Sequence, residues 1–212
     1  MSLAAFSVGL TGGVGSGKST VAAMLGDCGA GIVDADALSH QLTQAGGGAI
    51  AALRGSFGPQ AIAADGSLDR TYMRTLAFSE PAVRVQLESL LHPLIRTEMR
   101  TRAAEMITVG SPYIVFVVPL LVESDNWRSA TRRVLLVDCS EATQLTRVRS
   151  RSGISETVAR SIMRAQATRQ RRLAIADDVL MNEAPLTDIR PRVELLHRTY
   201  LLCATSSPYA TT

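Results

Sequence analysis

The stretch LTGGVGSGKST at residues 10–20 constrains the fold more than any other part of the chain. Gly12-x-x-x-x-Gly17-Lys18-Ser19 fits the phosphate-loop pattern. It follows an apolar run that reads as a buried strand and opens a helical pattern at residues 19–28. Glycines let the backbone turn tightly and aim its N–H groups at phosphate oxygens, and the helix N-terminus adds a favourable dipole. The expected nucleotide contacts are Gly13, Val14, Gly15, Ser16, Gly17, Lys18, Ser19 and Thr20. The Lys18 ammonium would reach the β and γ phosphates, and the Ser19 hydroxyl would ligate Mg²⁺ carried by the nucleotide.

Lys18 is the only lysine in 212 residues, while arginine occurs 21 times. A compact ammonium suits a phosphate where a guanidinium fork does not. Guanine-specific phosphate-loop switches use an Asn-Lys-x-Asp element, which needs a second lysine. The expected nucleotide is therefore ATP.

Five apolar runs read as strands: AFSVGL (5–10), AGIVDA (30–35), YIVFVV (113–118), RVLLVD (133–138) and DVLMN (178–182). They do not alternate, so they predict a parallel sheet covered on both faces. Helical patterns separate them, which makes the class α/β. Nearly 80 residues separate the second and third runs, too many for one crossover. That interval is broken by GGG, FGP, DGS, Pro81 and Pro93, and it reads as an inserted helical lobe. A second insertion carries eight arginines and turns at Gly153. The expected division is a nucleotide-binding core at 1–35, 111–140 and 176–205, a helical substrate lobe at 36–110, an Arg-rich lid at 141–175, and a frayed polar tail at 206–212.

Other function classes fit less well. The net charge is +3 and aromatic content is 4%, so neither electrostatics nor base stacking argues for nucleic acid. No run is long enough to span a membrane, and the first residues lack the basic region of a signal peptide. Cys28, Cys139 and Cys203 are far apart and not in zinc spacing, which reads as reduced thiols in the cytoplasm.

VDAD places Asp34 and Asp36 at the end of the second strand, where ligand chemistry collects in an open α/β sheet. A kinase needs a carboxylate to orient or deprotonate the attacking hydroxyl. Asp36 is preferred because it begins the inserted lobe. The alternative is that both acids cap a helix, with Asp36 as N-cap of residues 37–42.

Taken in order, GLTGGVGSGKSTVA, VDAD, FG…DGSLDR, LLHPLI, VVPLLVE, QLTRVRSR and Q…ADDVLMNE resemble the dephospho-CoA kinase family over residues 8–202. The resemblance implies a three-layer P-loop fold with a five-stranded parallel sheet, an inserted helical substrate lobe and a helical lid. It implies transfer of the γ-phosphate of ATP, with Mg²⁺, to the 3′-hydroxyl of dephospho-CoA. That is the last step of coenzyme A biosynthesis.

Roles follow by position. Asp36 matches the base. Arg70, in SLDR, matches an arginine near the acceptor, against the plainer reading of a surface ion pair. Arg147, in QLTR, matches a lid arginine that approaches the transferring phosphate. Asn182 lies where the family contacts adenine, and Gln166 belongs to the lid signature. His92 and Pro93 match an element that contacts substrate, although His-Pro is also common as a helix-start cap. Arg160, Arg164 and Arg171 fall on one side of a helix and could line the cleft. Two departures stand out. Val118 occupies a position where relatives carry an aspartate, which leaves Glu123 as a weaker metal candidate. His40 stands where relatives often place an arginine.

The competing readings are another P-loop small-molecule kinase, such as one acting on a nucleoside monophosphate, and a nucleotide-dependent binding module. The expected partners are ATP and dephospho-CoA, and the expected state is a monomer.

Overall fold

The sheet is built around β1 (Ser7–Thr11), whose five residues are all buried. The protein is described by a computed structural model that covers residues 5–123 and 131–206. The other strands are β2 (Gly31–Asp34), β3 (Ile114–Val117), β4 (Arg133–Asp138) and β5 (Asp178–Met181). They lie in the order β2-β3-β1-β4-β5. β1 runs parallel to β3 and β4, and β4 parallel to β5. The chain after β1 crosses to one side of the sheet, and after β3 it crosses to the other. The loop leaving β1 therefore sits where the connections diverge, the position at which open α/β sheets take ligands.

Two compact units make up the chain, Met1–Val33 with Ala103–Thr212, and Asp34–Arg102. In the first, Val8, Leu10, Leu25, Val115, Val137, Ile189 and Tyr200 form the core. These come from the sheet, from α1 (Lys18–Asp27) and from α9 (Leu186–Thr205). Each fully buried aliphatic side chain stabilises the fold by about 1.5–3 kcal/mol. β5 departs from the expectation of a sheet covered on both faces. It is one of the two edge strands, only its Leu180 is buried, and Val179 and Met181 are exposed.

An aromatic and ionic cluster lies at one margin of this core. Arg133 binds Asp178 through two hydrogen bonds of 2.9 Å, and Tyr200 donates to the same carboxylate at 3.0 Å. The Tyr113 hydroxyl lies 2.9 Å from Nδ1 of His197. Burial raises the pKa of both tyrosines well above the ordinary phenol value.

The Arg-rich segment folds as α6 (Glu141–Ser152), α7 (Glu156–Arg164) and α8 (Arg169–Ile175), and belongs to the same unit as the sheet. Ser140, Ser155 and Thr168 precede these helices, and each hydroxyl accepts a first-turn N–H. Such caps contribute about 1 kcal/mol each. The chain turns at Gly153, as expected. Arg160 and Arg164 sit on α7 but Arg171 on α8, so the three do not share one helix.

The unit Asp34–Arg102 holds α2 (Ala35–Leu42), α3 (Ile50–Phe57), α4 (Arg70–Ser79) and most of α5 (Pro81–Thr108). Its own core is Ala49, Leu53, Phe57, Ala61, Leu68 and Met73. Pro93 does not break the lobe as expected, and His92-Pro93 is not a helix start. Both lie inside the 28-residue helix α5. Proline removes one N–H and disturbs one turn, but the apolar face continues through it, with Leu87, Leu90, Leu91 and Leu94 packed on the small core. Pro81 opens α5, a position that proline suits. Of the expected tail, residues 207–212 lie outside the described residues.

Candidate active site

The phosphate loop joins β1 to α1, and Gly17 is its pivot. Gly17 has φ 96°, a left-handed conformation that side-chain-bearing residues rarely adopt, and it is the N-cap of α1. The first-turn N–H groups of a helix have no partner within it, so this end offers donors to an anion. Ser16 N donates to Gly13 O at 3.1 Å, which closes the loop's inner turn. The Lys18 ammonium folds back onto the loop and donates to the carbonyls of Gly12 at 2.6 Å and Gly13 at 3.0 Å. Ser19 is exposed on the first turn of α1, and Thr20 follows it.

Two sets of side chains brace the loop, one at each end. At the Gly17 end, Asn182 is buried just after β5, and its amide donates to Ser16 O at 2.7 Å. Arg147, on α6, reaches the same carbonyl at 3.5 Å. Asn182 therefore fastens the loop. A Cβ on Gly17 would stand 2.1 Å from the Asn182 amide nitrogen. At the other end, Gln166 Oε1 accepts from Val14 N at 2.8 Å. Gln144 and Arg172 are both buried beside Gly13. A Cβ there would lie 2.2 Å from Gln144 Nε2 and 3.2 Å from Arg172 Nη2.

The sequence reading did not anticipate the bracing by Gln144 and Arg172, nor two further ties. Asp138, buried at the end of β4, is held by Arg169 at 2.7 Å. Glu123 Oε1 accepts from Ala167 N at 2.7 Å. One oxygen of its carboxylate is thus engaged by backbone. The adjoining Cys139 thiol is buried, and burial pushes its pKa up, which makes it a poor nucleophile. Glu183 takes hydrogen bonds from the Thr143 hydroxyl and Ser140 N–H, which lower its pKa.

The acidic pair resolves differently from the capping alternative. β2 ends at Asp34, and Asp34 is the N-cap of α2. Its Oδ1 accepts from Asp36 N at 2.8 Å and Ala37 N at 3.1 Å. Asp36 lies exposed in the helix's first turn and is not the cap.

Within the same unit, Arg70 opens α4 beside a cleft of about 520 Å³ lined in part by His40, Thr43, Asp65, Ser67 and Asp69. Arg70 Nη2 donates to the Thr43 hydroxyl at 2.7 Å. Asp69 is occupied as the N-cap of α4. Arg70 is therefore held by a neutral hydroxyl and not by the surface ion pair considered as an alternative. His92 and Pro93 are exposed on α5 of this unit.

Comparison with known proteins gives the family and the fold. A family model described as dephospho-CoA kinase matches residues 6–188. A dephospho-CoA kinase of Bordetella parapertussis is 51% identical over 201 residues, covering 94% of this chain and 92% of the relative. One from Cupriavidus pinatubonensis is 50% identical, covering 91% and 93%. Among solved structures, a dephospho-CoA kinase from Campylobacter jejuni superposes with a TM-score of 0.69 at 19% identity. It covers 91% of this chain and 95% of that one, and it supports the fold.

Proposed function

The chain belongs to the dephospho-CoA kinase family, and we propose that its phosphate loop and its second VDAD acid divide the work of that reaction. The enzyme transfers the γ-phosphoryl group of ATP to the 3′-hydroxyl of dephospho-CoA, giving ADP and CoA. A ribose oxygen–phosphorus bond forms, the bond from phosphorus to the β–γ bridging oxygen breaks, and the hydroxyl gives up a proton.

Asp36 is the residue to orient that hydroxyl and receive its proton. One observation carries this: Asp34 already caps α2, so the second acid is not needed for that task. Lys18 leaves its own loop carbonyls for the β and γ phosphates, where developing charge rewards a preorganised cation. Arg147 brings a guanidinium to the nucleotide from the Gly17 end. Asn182 holds the loop in shape for ATP. Arg70 recognises the acceptor from its cleft, with His40 on the same wall, and His92-Pro93 contacts the substrate from α5.

Mg²⁺ fits as an ion that enters with ATP. Ser19 presents an exposed hydroxyl on the first turn of α1, the Val118 side chain has no ligating atom, and Glu123 Oε1 is engaged by Ala167 N. Ser19 would hold the ion and the nucleotide phosphates would complete its shell. When bound, it neutralises charge on the phosphate oxygens.

Cys28, Cys139 and Cys203 are all free thiols, which suits a reducing compartment and a cytoplasmic enzyme. No helix of the described residues is long and apolar enough to cross a membrane. We take the working unit to be a monomer.

The test is acceptor-dependent turnover. The protein is incubated with Mg·ATP and, separately, dephospho-CoA, AMP, CMP or adenosine, and products are identified by mass. The expected result is one added phosphate on dephospho-CoA. Phosphorylation of AMP or CMP instead would favour the nucleoside monophosphate reading.

A further inference from the structure

Asp36 and His40 stand one turn apart on α2, and both belong to the unit Asp34–Arg102. Leu38, midway between them, is buried and fixes which side of the helix turns inward. Residues two apart on a helix point nearly opposite ways, while residues four apart share a face. Asp36 and His40 therefore share the outward face, and both are exposed. Helical side chains lean towards the N-terminus, which carries the His40 ring back over Asp36. The Cβ atoms of such a pair lie about 5–6 Å apart, close enough for an imidazole to meet a carboxylate.

His40 also lines the 520 Å³ cleft, where Asp65, Asp69 and Arg70 are the other charged residues. Each of the three is engaged away from the imidazole. Asp65 Oδ1 accepts from the Ser67 N–H at 2.9 Å and the Ser67 hydroxyl at 2.7 Å. Asp69 Oδ1 accepts from Tyr72 N at 2.8 Å, and Arg70 donates to the Thr43 hydroxyl. At the start of the helix Asp34 is taken up by the N–H groups of Asp36 and Ala37. Asp36 is thus the acid that α2 itself sets one turn from the ring.

We propose that His40 pairs with Asp36 across this turn and takes over the proton that Asp36 removes from the acceptor hydroxyl. This rests on the reading of Asp36 as the base and adds the route by which that base is regenerated. The acceptor O–H bond breaks as an O–H bond forms on the Asp36 carboxylate. That proton then moves to the unprotonated ring nitrogen of a neutral imidazole, which leaves a carboxylate and an imidazolium, and the imidazolium returns the proton to water. Free imidazole is a stronger base than a free carboxylate, so the second transfer runs downhill. His40 acts through Asp36 rather than on the hydroxyl itself, and its imidazole changes charge in the interval of about pH 5–8. An imidazolium cannot accept the proton, so the assistance is present at the upper end of that interval and lost at the lower.

The pairing is tested by single-turnover rapid quench on the full-length protein, with saturating Mg·ATP and dephospho-CoA. His40→Gln keeps a polar side chain but cannot take up the proton, and its exposed position leaves the fold intact. Wild type should transfer about tenfold faster than His40→Gln at about pH 8, less than a whole general base supplies because Asp36 still accepts the first proton. The two rates should converge to within about twofold at about pH 5.5. Free imidazole should raise the rate of His40→Ala several-fold at about pH 8 and leave Asp36→Asn unchanged. A ratio of wild type to His40→Gln that stays constant with pH would overturn the pairing, as would failure of imidazole to rescue His40→Ala. Weaker binding of dephospho-CoA with an unchanged transfer rate would also overturn it, making His40 a substrate contact only. Active wild type with an unaltered His40→Gln profile sinks the pairing and leaves the kinase reading standing, whereas wild type without transfer to dephospho-CoA sinks both.

Discussion

Asp34 accepts a hydrogen bond from the backbone N–H of Asp36, 2.8 Å away. Two acids that look equivalent in sequence thus differ in place, Asp34 capping α2 and Asp36 standing in its first turn. Asp34→Ala removes the cap of α2 and should lower stability by about 1 kcal/mol in urea titrations. Asp36→Asn should leave the urea midpoint and ATP affinity close to wild type. It should cut turnover with dephospho-CoA by on the order of 10²–10⁴. Retained turnover in Asp36→Asn would assign the base elsewhere.

The inner strands were legible because a covered strand writes itself as a short apolar block, β5 because its run stays apolar even where Val179 and Met181 are exposed, and the phosphate loop because its glycines sit at fixed offsets from Lys18. The small lobe was harder. Pro93 is a strong local signal for a break, yet burial of Leu90, Leu91 and Leu94 keeps α5 continuous through it. Asp138–Arg169 spans 31 residues, and Gln166 to Val14 spans 152. Neither has a local pattern, because only the folded sheet brings the partners together. Gln144 left a faint trace, lying three residues before Arg147 on one helix, where both can reach the loop.

The tyrosine cluster makes a prediction about alkaline pH. Tyr113 and Tyr200 have pKa values raised mainly by burial. Above about pH 10 the unfolded chain releases phenolic protons that the folded protein retains, so stability contributed by the neutral phenols falls as pH rises further. Tyr200→Phe removes one such group together with its hydrogen bond to Asp178. At pH 7 it should lose about 1 kcal/mol. Its stability should then decline less steeply than wild type between pH 10 and 11.5, measured by urea titration at each pH. Parallel decline would mean that Tyr200 ionises in the folded state.

The ion pairs of the Arg-rich segment should differ sharply in worth. Asp138 is 1% exposed in its pair with Arg169, whereas Arg160 and Glu156 are each about half exposed. Arg160→Ala breaks a surface pair and should cost no more than about 0.5 kcal/mol. Arg169→Ala leaves a buried carboxylate without its cation and should cost about 2 kcal/mol, offset partly by water reaching the exposed side. Thermal unfolding of the two variants side by side gives the comparison. Equal melting temperatures would mean that Asp138 finds another donor.

Gly17 and Lys18 should separate folding from catalysis. Gly17→Ala would put a methyl group 2.1 Å from the Asn182 amide at a φ of 96°, so the loop must give up its shape, its tie to Asn182, or both. ATP affinity should fall at least about tenfold, with a measurable loss of melting temperature. Lys18→Ala removes the ammonium and its hydrogen bonds to the Gly12 and Gly13 carbonyls. It should stay folded and lose at least about 10²-fold in kcat. Lys18→Arg should not restore turnover, because the larger planar guanidinium cannot take the place of a compact ammonium between the β and γ phosphates. Near wild-type kcat in Lys18→Arg would show that the site needs only a positive charge there, and the lone lysine in a chain of arginines would lose its catalytic explanation.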